Sequence, residues 1–314
     1  AGTDLRVREE NGIYHAPGIS DDARGLAVIL QVLRTMQEKN IQTVGDICFV
    51  CTVGEEGNGD LRGSKHLFLK SGMKIDGFIS VDGVDVGRLL CAATGSKRYR
   101  VHFDGPGGHS WKNYGYPSAI HAMGRAIAKI ADVHPCEEPR TTFTCGTIGG
   151  GTTVNSIAAH CEMELDMRSA GGKELEEIEA QILPLIQAAC DEENARWGAE
   201  GDLAVKLTLE PIGHRPGGQQ SDESSVLQAA RAAMNELGIE LKKYDAASTD
   251  HNIAIHCGIP ATTLGGGGAE GVNHNGKEWY DPKDGYLGAQ LAFLTSLLLV
   301  GMQGVADPLL PKRD

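Results

Sequence analysis

Early in the chain, Leu26, Ile29, Leu30, Leu33 and Met36 recur at helical spacing behind Ser20 and Asp21, either of which can cap a helix that ends near residue 39. The stretch before it, GTDLRVREENGIYHAPG, reads as extended and turn-rich. Short apolar runs of the buried-strand type follow at 47–53 and 77–81, separated by GEEGNGDLRG and a short helix over 64–70. Strands alternating with helices predict a parallel α/β sheet. From about Gly95 the pattern changes. KRYRVHFDG alternates like a half-exposed strand, 116–130 has helical spacing, and 141–148 and 156–167 read as adjacent strands. A helix over 174–192 and a strand over 203–209 complete the order βαββαβ, the ferredoxin-like unit. After His214 the first pattern returns: a helix over 222–237, a strand over 239–243, a short helix over 251–256, a strand over 260–264 and a long helix over 284–302. The expected fold is α/β. A mostly parallel sheet with helices on both faces spans 1–94 and 214–314, and a ferredoxin-like α+β unit is inserted at 95–213.

Composition narrows the classes. A length of 314 residues suits two domains, and 41% hydrophobic with 23% charged residues is ordinary for a globular protein. The most apolar stretch, 287–302, is broken by Gly288, Gln290, Thr295 and Ser296, so a core helix is expected there and no membrane partner. A net charge of −13 with no Lys/Arg cluster argues against a nucleic-acid partner. Glycine is the outlier, at 42 residues, roughly 13% where about 7% is usual. It clusters as GEEGNG, GPGGHS, GTIGGGT and LGGGGAEG beside strand-like runs, where tight turns or close approach to a ligand need it. Eight cysteines without a secretory signal point to a reduced, cytoplasmic protein. Cys48 and Cys51 form a CxxC inside a strand-like run. Their spacing puts them on opposite strand faces, which argues against a redox or zinc role.

Candidate chemistry follows from position. Asp21 lies where a loop becomes a helix. Glu55 and Glu56 follow one predicted strand, Asp82 follows a second, and His274 lies in the Gly-rich loop after a third. Ligands of open α/β sheets bind at the carboxyl ends of strands. Taken singly, Asp21 reads as a helix cap, and Glu55, Glu56, Asp82 and His274 as turn or loop residues. Together they favour a metal site. Three carboxylates and an imidazole suit a solvent-open catalytic centre, with one metal or two, better than a closed structural zinc site. Of the adjacent pair Glu55–Glu56, one can ligate while the other acts as a base on water.

The strings GISDDARG (18–25), TVGEEGNG (52–59), SVDG (80–83), GPGGHS (105–110) and GGGGAEGVNHNGKE (265–278), in that order, resemble the two-domain zinc peptidase and deacylase family. Its members include tripeptidase T, glutamate carboxypeptidase, acetylornithine deacetylase, succinyl-diaminopimelate desuccinylase and aminoacylase. The resemblance implies an α/β catalytic domain interrupted by a ferredoxin-like lid and dimerisation domain. It implies hydrolysis of peptide or N-acyl bonds in small substrates with a free carboxylate. It also implies roles: Asp21 bridges two metals, Glu55 is the general base, Glu56 and His274 ligate one metal and Asp82 the other, with Asp22 a weaker candidate. His109 is similar to the lid histidine that supports the oxyanion, in many members from the partner subunit. Asn155 and Arg168 are similar to lid residues that hold the substrate carboxylate, as a guanidinium can with paired hydrogen bonds. Zinc is the family's usual metal, and such donor sets also accept Co2+ or Mn2+. A homodimer through the lid is expected, and a peptidase slightly over a deacylase.

The family also carries an HxD string upstream of the bridging aspartate, and none precedes Asp21 here. The HxD at His102–Phe103–Asp104 lies in the predicted lid and reads as chance. AGTDLRV resembles the stretch that normally follows the HxD strand. The expectation is a chain without that segment, holding one zinc or none tightly rather than two, and hydrolysing amides poorly. A noncatalytic relative acting as a dimeric binding protein is the alternative reading. A nucleotide-binding reading of the glycine clusters finds no strand–GxGxxG–helix or GxxxxGK[ST] pattern to support it.

Overall fold

A computed structural model describes residues 4–273 and 276–312. The fold is mixed α/β, and the chain divides into two compact units: 1–93 with 218–314, and 94–217. The first unit begins with β1 (Arg8–Glu10), β2 (Ile13–His15), α1 (Ala23–Glu38), a 3-10 turn at Gly57–Gly59, α2 (Arg62–Leu69), β3 (Phe78–Val81) and β4 (Arg88–Ala93). The second unit runs β5 (Gly95–Asp104), β6 (Gly108–His109), α3 (Ala119–Ala131), β7 (Thr141–Gly150), β8 (Ser156–Ile157), β9 (His160–Ser169), α4 (Gly172–Trp197) and β10 (Lys206–Arg215). The chain then returns with β11 (Gly218–Gln219), α5 (Ser225–Glu236), β12 (Lys243–Ala247), α6 (His251–His256), β13 (Ala261–Leu264), β14 (Ala269–Gly271), β15 (Trp279–Asp281) and α7 (Tyr286–Val300).

In the first unit, β3 pairs in parallel with β13, and β4 in parallel with β12. Successive side chains of a strand face opposite ways. Phe78 accordingly joins Phe68 of α2 and Ala254 of α6 in one apolar cluster, while Ile79 and Val81 join Val28, Leu227 and Leu291 of α1, α5 and α7 in another. Helices thus cover both sides of β3. A separate antiparallel sheet, β1-β2-β15-β14, joins the start of the chain to the segment near residue 280.

Two expectations need correction. Residues 47–53 form no ladder among the described residues. Strand composition is present, but a strand needs a neighbour, and here Cys48, Cys51 and Val53 are exposed. The strand expected at 239–243 instead spans Lys243–Ala247, where the backbone meets β4.

In the second unit the sheet order is β10-β5-β9-β7, antiparallel throughout, with α3 and α4 on one face. That is the ferredoxin-like arrangement. Val101, Phe103, Met163, Leu165 and Met167 face Met123 and Ile130 of α3 and Ile178 and Ile182 of α4. Alternation puts Arg98 and Arg100 of β5, Glu162, Glu164 and Asp166 of β9 and Glu210 of β10 on the other face, while Lys97 turns to Glu176 and Glu179 of α4. No helix among the described residues is long and apolar enough to cross a membrane.

Candidate metal centre

The turn at 18–22 delivers two aspartates to the start of α1. Asp22 Oδ1 accepts the Gly25 N–H at 3.0 Å and caps the helix, which corrects the expected cap at Ser20 or Asp21. A Cβ on Gly25 would lie 2.2 Å from Asp22 Oδ1 and 2.6 Å from the Val81 carbonyl oxygen, so glycine alone lets this cap close onto the end of β3. Glu278 holds the turn from behind. It is 2% exposed. Its Oε1 accepts from Ser20 N (2.9 Å), Ser20 Oγ (2.6 Å) and Asp21 N (3.0 Å), and its Oε2 from Gly18 N (2.8 Å). Burial pushes the Glu278 carboxyl up, and the Asp21, Ser20 and Gly18 donors outweigh it, so its pKa ends below the ordinary value.

Asp82 sits just past β3, where its N–H donates to the Leu264 carbonyl at 3.0 Å. Glu56 precedes the 3-10 turn, and its carbonyl accepts the Gly59 N–H at 2.8 Å. Burial first, then the nearby charges of Asp21, Glu56 and Asp250, push the Asp82 pKa up to about 6, with Arg88 opposing. Burial and the Asp82 charge push Asp22 up to about 8. The Gly25 hydrogen bond opposes this, and Asp21 and Asp250 add to it. The structure therefore brings Asp21, Glu56, Asp22 and Asp250 each within electrostatic reach of Asp82. Glu55 is half-buried on the same loop as Glu56. His274 lies outside the described residues.

Asp250 and His251 have no place in the sequence-based site. Asp250 is buried, and its Oδ2 accepts a short hydrogen bond from Thr52 Oγ1. Its Oδ1 is buried with no hydrogen-bond partner among the described residues. His251 is fully buried between Thr263 Oγ1 (2.8 Å from Nδ1), Thr249 Oγ1 (3.0 Å from Nδ1) and the Ala92 carbonyl (3.1 Å from Nε2). Burial pushes its pKa down to about 4. The neutral ring then donates Nε2–H to Ala92, a tautomer inferred from that partner. It ties α6 to β4 and β13. The only sequence signals were the position of Glu278 at the end of the 265–278 run and of Asp250 at the start of a short helix.

Crowded carboxylates that repel one another, with one buried oxygen unpartnered, are a donor set suited to a divalent cation. The chemistry of the residues present thus fits the metal that the resemblance implied.

In the second unit, β6 pairs with β8, placing His109 opposite Ser156, and the Ser110 N–H donates to the Asn155 carbonyl at 3.0 Å. His109 therefore lies in this short ladder and Asn155 just beyond its end. His109 Nδ1 accepts the Trp111 N–H at 3.1 Å. The neutral ring then carries its proton on Nε2, available to an acceptor. Arg168 lies on the charged face of β9, and its Nε donates to Asp166 Oδ2 at 2.6 Å.

Parallel strands ending in clustered carboxylates, interrupted by a ferredoxin-like unit, are the arrangement of the two-domain metallopeptidases and deacylases. Residues 2–298 match peptidase family M20/M25/M40, and the chain belongs to that family. Its relatives include the uncharacterized protein YqjE of Bacillus subtilis, 28% identical over 271 residues, covering 84% of this chain and 68% of that one. Peptidase T of Escherichia fergusonii is 24% identical over 272 residues, 85% of this chain and 62% of that one. Acetylornithine deacetylase of Buchnera aphidicola is 25% identical over 194 residues, 59% of this chain and 50% of that one. The chain thus spans between half and about two thirds of the length of these relatives. The aminopeptidase PepT of Bacillus cereus shares the fold at a TM-score of 0.70 and 24% identity, over 92% of this chain and 75% of that one. A Staphylococcus aureus tripeptidase does so at 0.74, with the same identity and coverage.

Proposed function

We propose that the chain is a metal-dependent amide hydrolase acting on small peptides or N-acyl amino acids with a free carboxylate. The observation that carries this is the convergence of Asp21, Glu56 and Asp82 beside the unpartnered Asp250 oxygen. Family membership supports it, as do the names of the relatives peptidase T and acetylornithine deacetylase. Asp21, Glu56 and Asp82, with His274, are the residues that would hold zinc, Asp21 being shared where two ions bind. A bound cation polarises the scissile carbonyl and makes water more acidic. Glu55 takes the proton of the attacking water and returns it to the leaving amine. His109 offers Nε2–H to the developing oxyanion. Arg168 exchanges Asp166 for the substrate carboxylate, with Asn155 as a second donor. The lid dimerises along β7, one of the two edge strands of its sheet, and the protein works in the cytoplasm.

The test is an assay of zinc-loaded protein against tripeptides and N-acetyl amino acids, with Glu55→Gln beside it. We expect turnover of at least one class, falling by about 10²–10⁴-fold in the variant while its zinc stays bound. No turnover of either class, or an unchanged rate in Glu55→Gln, would overturn the proposal and favour a noncatalytic dimeric binding protein.

A further inference from the structure

The charged face of the ferredoxin-like sheet follows a regular pattern until its last rung. Arg98 Nε reaches Asp166 at 2.7 Å, and Arg100 spans Glu164 at 2.9 Å and Glu210 at 3.3 Å. These are carboxylates answered by fixed cations. At the next rung the arginines stop. His102 lies directly opposite Glu162, and His160 directly opposite Asp104. Three carboxylates, Asp104, Glu162 and Glu210, then face two imidazoles, which are only conditionally charged. Lys206 stands opposite Asp104 in register, but its Nζ turns to Asp202 at 3.8 Å.

We propose that His102, His160 and Glu162 form a binding site for a divalent transition-metal ion, built entirely within this unit. His102 Nδ1 lies 3.5 Å and His160 Nε2 3.7 Å from Glu162 Oε2, and the three ligand atoms all fall within 4.8 Å of one another. Tetrahedral zinc with bonds of about 2.0–2.1 Å separates its ligand atoms by roughly 3.3–3.4 Å, so small side-chain adjustments close the set.

The remaining ring nitrogens supply an independent observation. A metal-bound histidine usually donates its other N–H to a carboxylate or carbonyl, which fixes the ring. Here His160 Nδ1 lies 2.8 Å from Asp104 Oδ1, and His102 Nε2 lies 3.4 Å from Glu210 Oε2. Both rings therefore turn one nitrogen toward the shared Glu162 oxygen and back the other with a separate carboxylate. The two rings stand 5.8 Å apart, centroid to centroid, and 34° from parallel. Two imidazoles and one carboxylate suit Zn2+, Ni2+ or Cu2+ over Mg2+ or Ca2+. Half-exposed side chains leave the fourth position to solvent. Bound there, the ion links β5 to β9.

The test is zinc bound per chain in the untagged 314-residue protein. It is stripped of metal, dialysed against Zn2+ and compared with the His102→Gln/His160→Gln variant. We expect about one zinc fewer per chain in the variant. Asp104→Asn alone, which leaves all three ligands in place, should weaken that zinc by about 10–100-fold. Equal zinc content and affinity in all three proteins would overturn the proposal. All three carry the same residues in the α/β unit, so a negative result here leaves the proposed hydrolase untouched.

Discussion

Glu193 in the ferredoxin-like unit and Asp82 in the α/β unit are both carboxylates withdrawn from water, and their surroundings push them in opposite directions. Glu193 accepts the Ser118 N–H at 3.1 Å, Arg125 Nε at 3.0 Å and Trp197 Nε1 at 3.2 Å. Burial raises its pKa, and those donors bring it below the ordinary value. Asp82 is pushed up by burial and again by three other acids. Where a carboxylate serves the fold, the fold supplies its donors, as it also does for Glu278. Where carboxylates crowd together, as they do around Asp82, a cation from solution is the partner that the proposed function calls for.

Mutations can break that contrast. The largest effect on stability is expected at Glu278, since Glu278→Ala leaves the buried donors of Gly18, Ser20 and Asp21 unpaired. A loss of about 3 kcal/mol or more is expected in urea unfolding, with weaker zinc binding because Asp21 loses its turn. Unchanged stability would remove Glu278 as the anchor.

Next comes a reversal of sign. A carboxyl whose folded pKa is raised carries a stability penalty that is absent below its unfolded value. The penalty grows as pH rises toward the folded value. For Asp82 that window runs from 3.8 to about 6, worth up to about 3 kcal/mol. Metal-free Asp82→Asn should therefore gain stability over wild type as pH rises from 4 to 7, and zinc should restore only the wild type. Glu193→Gln should behave oppositely. Its lowered pKa gives stability that is present near pH 7 and lost as pH falls below the ordinary carboxylate range, so the variant is weaker at pH 7 and the gap closes in acid. Thermal melts across pH would show both trends. The smallest effect is expected at Asp166→Asn. Losing its partly exposed pairs with Arg98 and Arg168 should cost less than about 1 kcal/mol, and a larger change in urea unfolding would mean the charged face is more than a solvated surface.

Much of the fold is legible in the sequence because strand–turn–helix alternation is local. The helix at 251–256 is read to the residue, and the ferredoxin-like order follows from periodicity alone. The run at 47–53 shows the limit: apolar composition cannot supply a pairing partner. The strand at Lys243–Ala247 is displaced for a related reason, since its ends are set by β4. In the candidate centre, Asp21 and Asp82 could be grouped from the helix start and the strand end that carry them, while Glu56 could be grouped only through a strand at 47–53 that does not form. Glu278 and Asp250 could not. Glu278 acts on Asp21 across 257 residues, and Asp250 on Thr52 across 198. His102 and His160 meet only through the β5–β9 register, which no local string encodes.

The account rests on the acidic cluster of the α/β unit being a cation site. The most direct measurement is zinc affinity of the His102→Gln/His160→Gln protein, which isolates that cluster, with and without Asp82→Asn. The account predicts that the parent variant binds zinc and that adding Asp82→Asn weakens binding by about a hundredfold or more, as removal of a ligand should. Equal zinc affinity in the two proteins would contradict it.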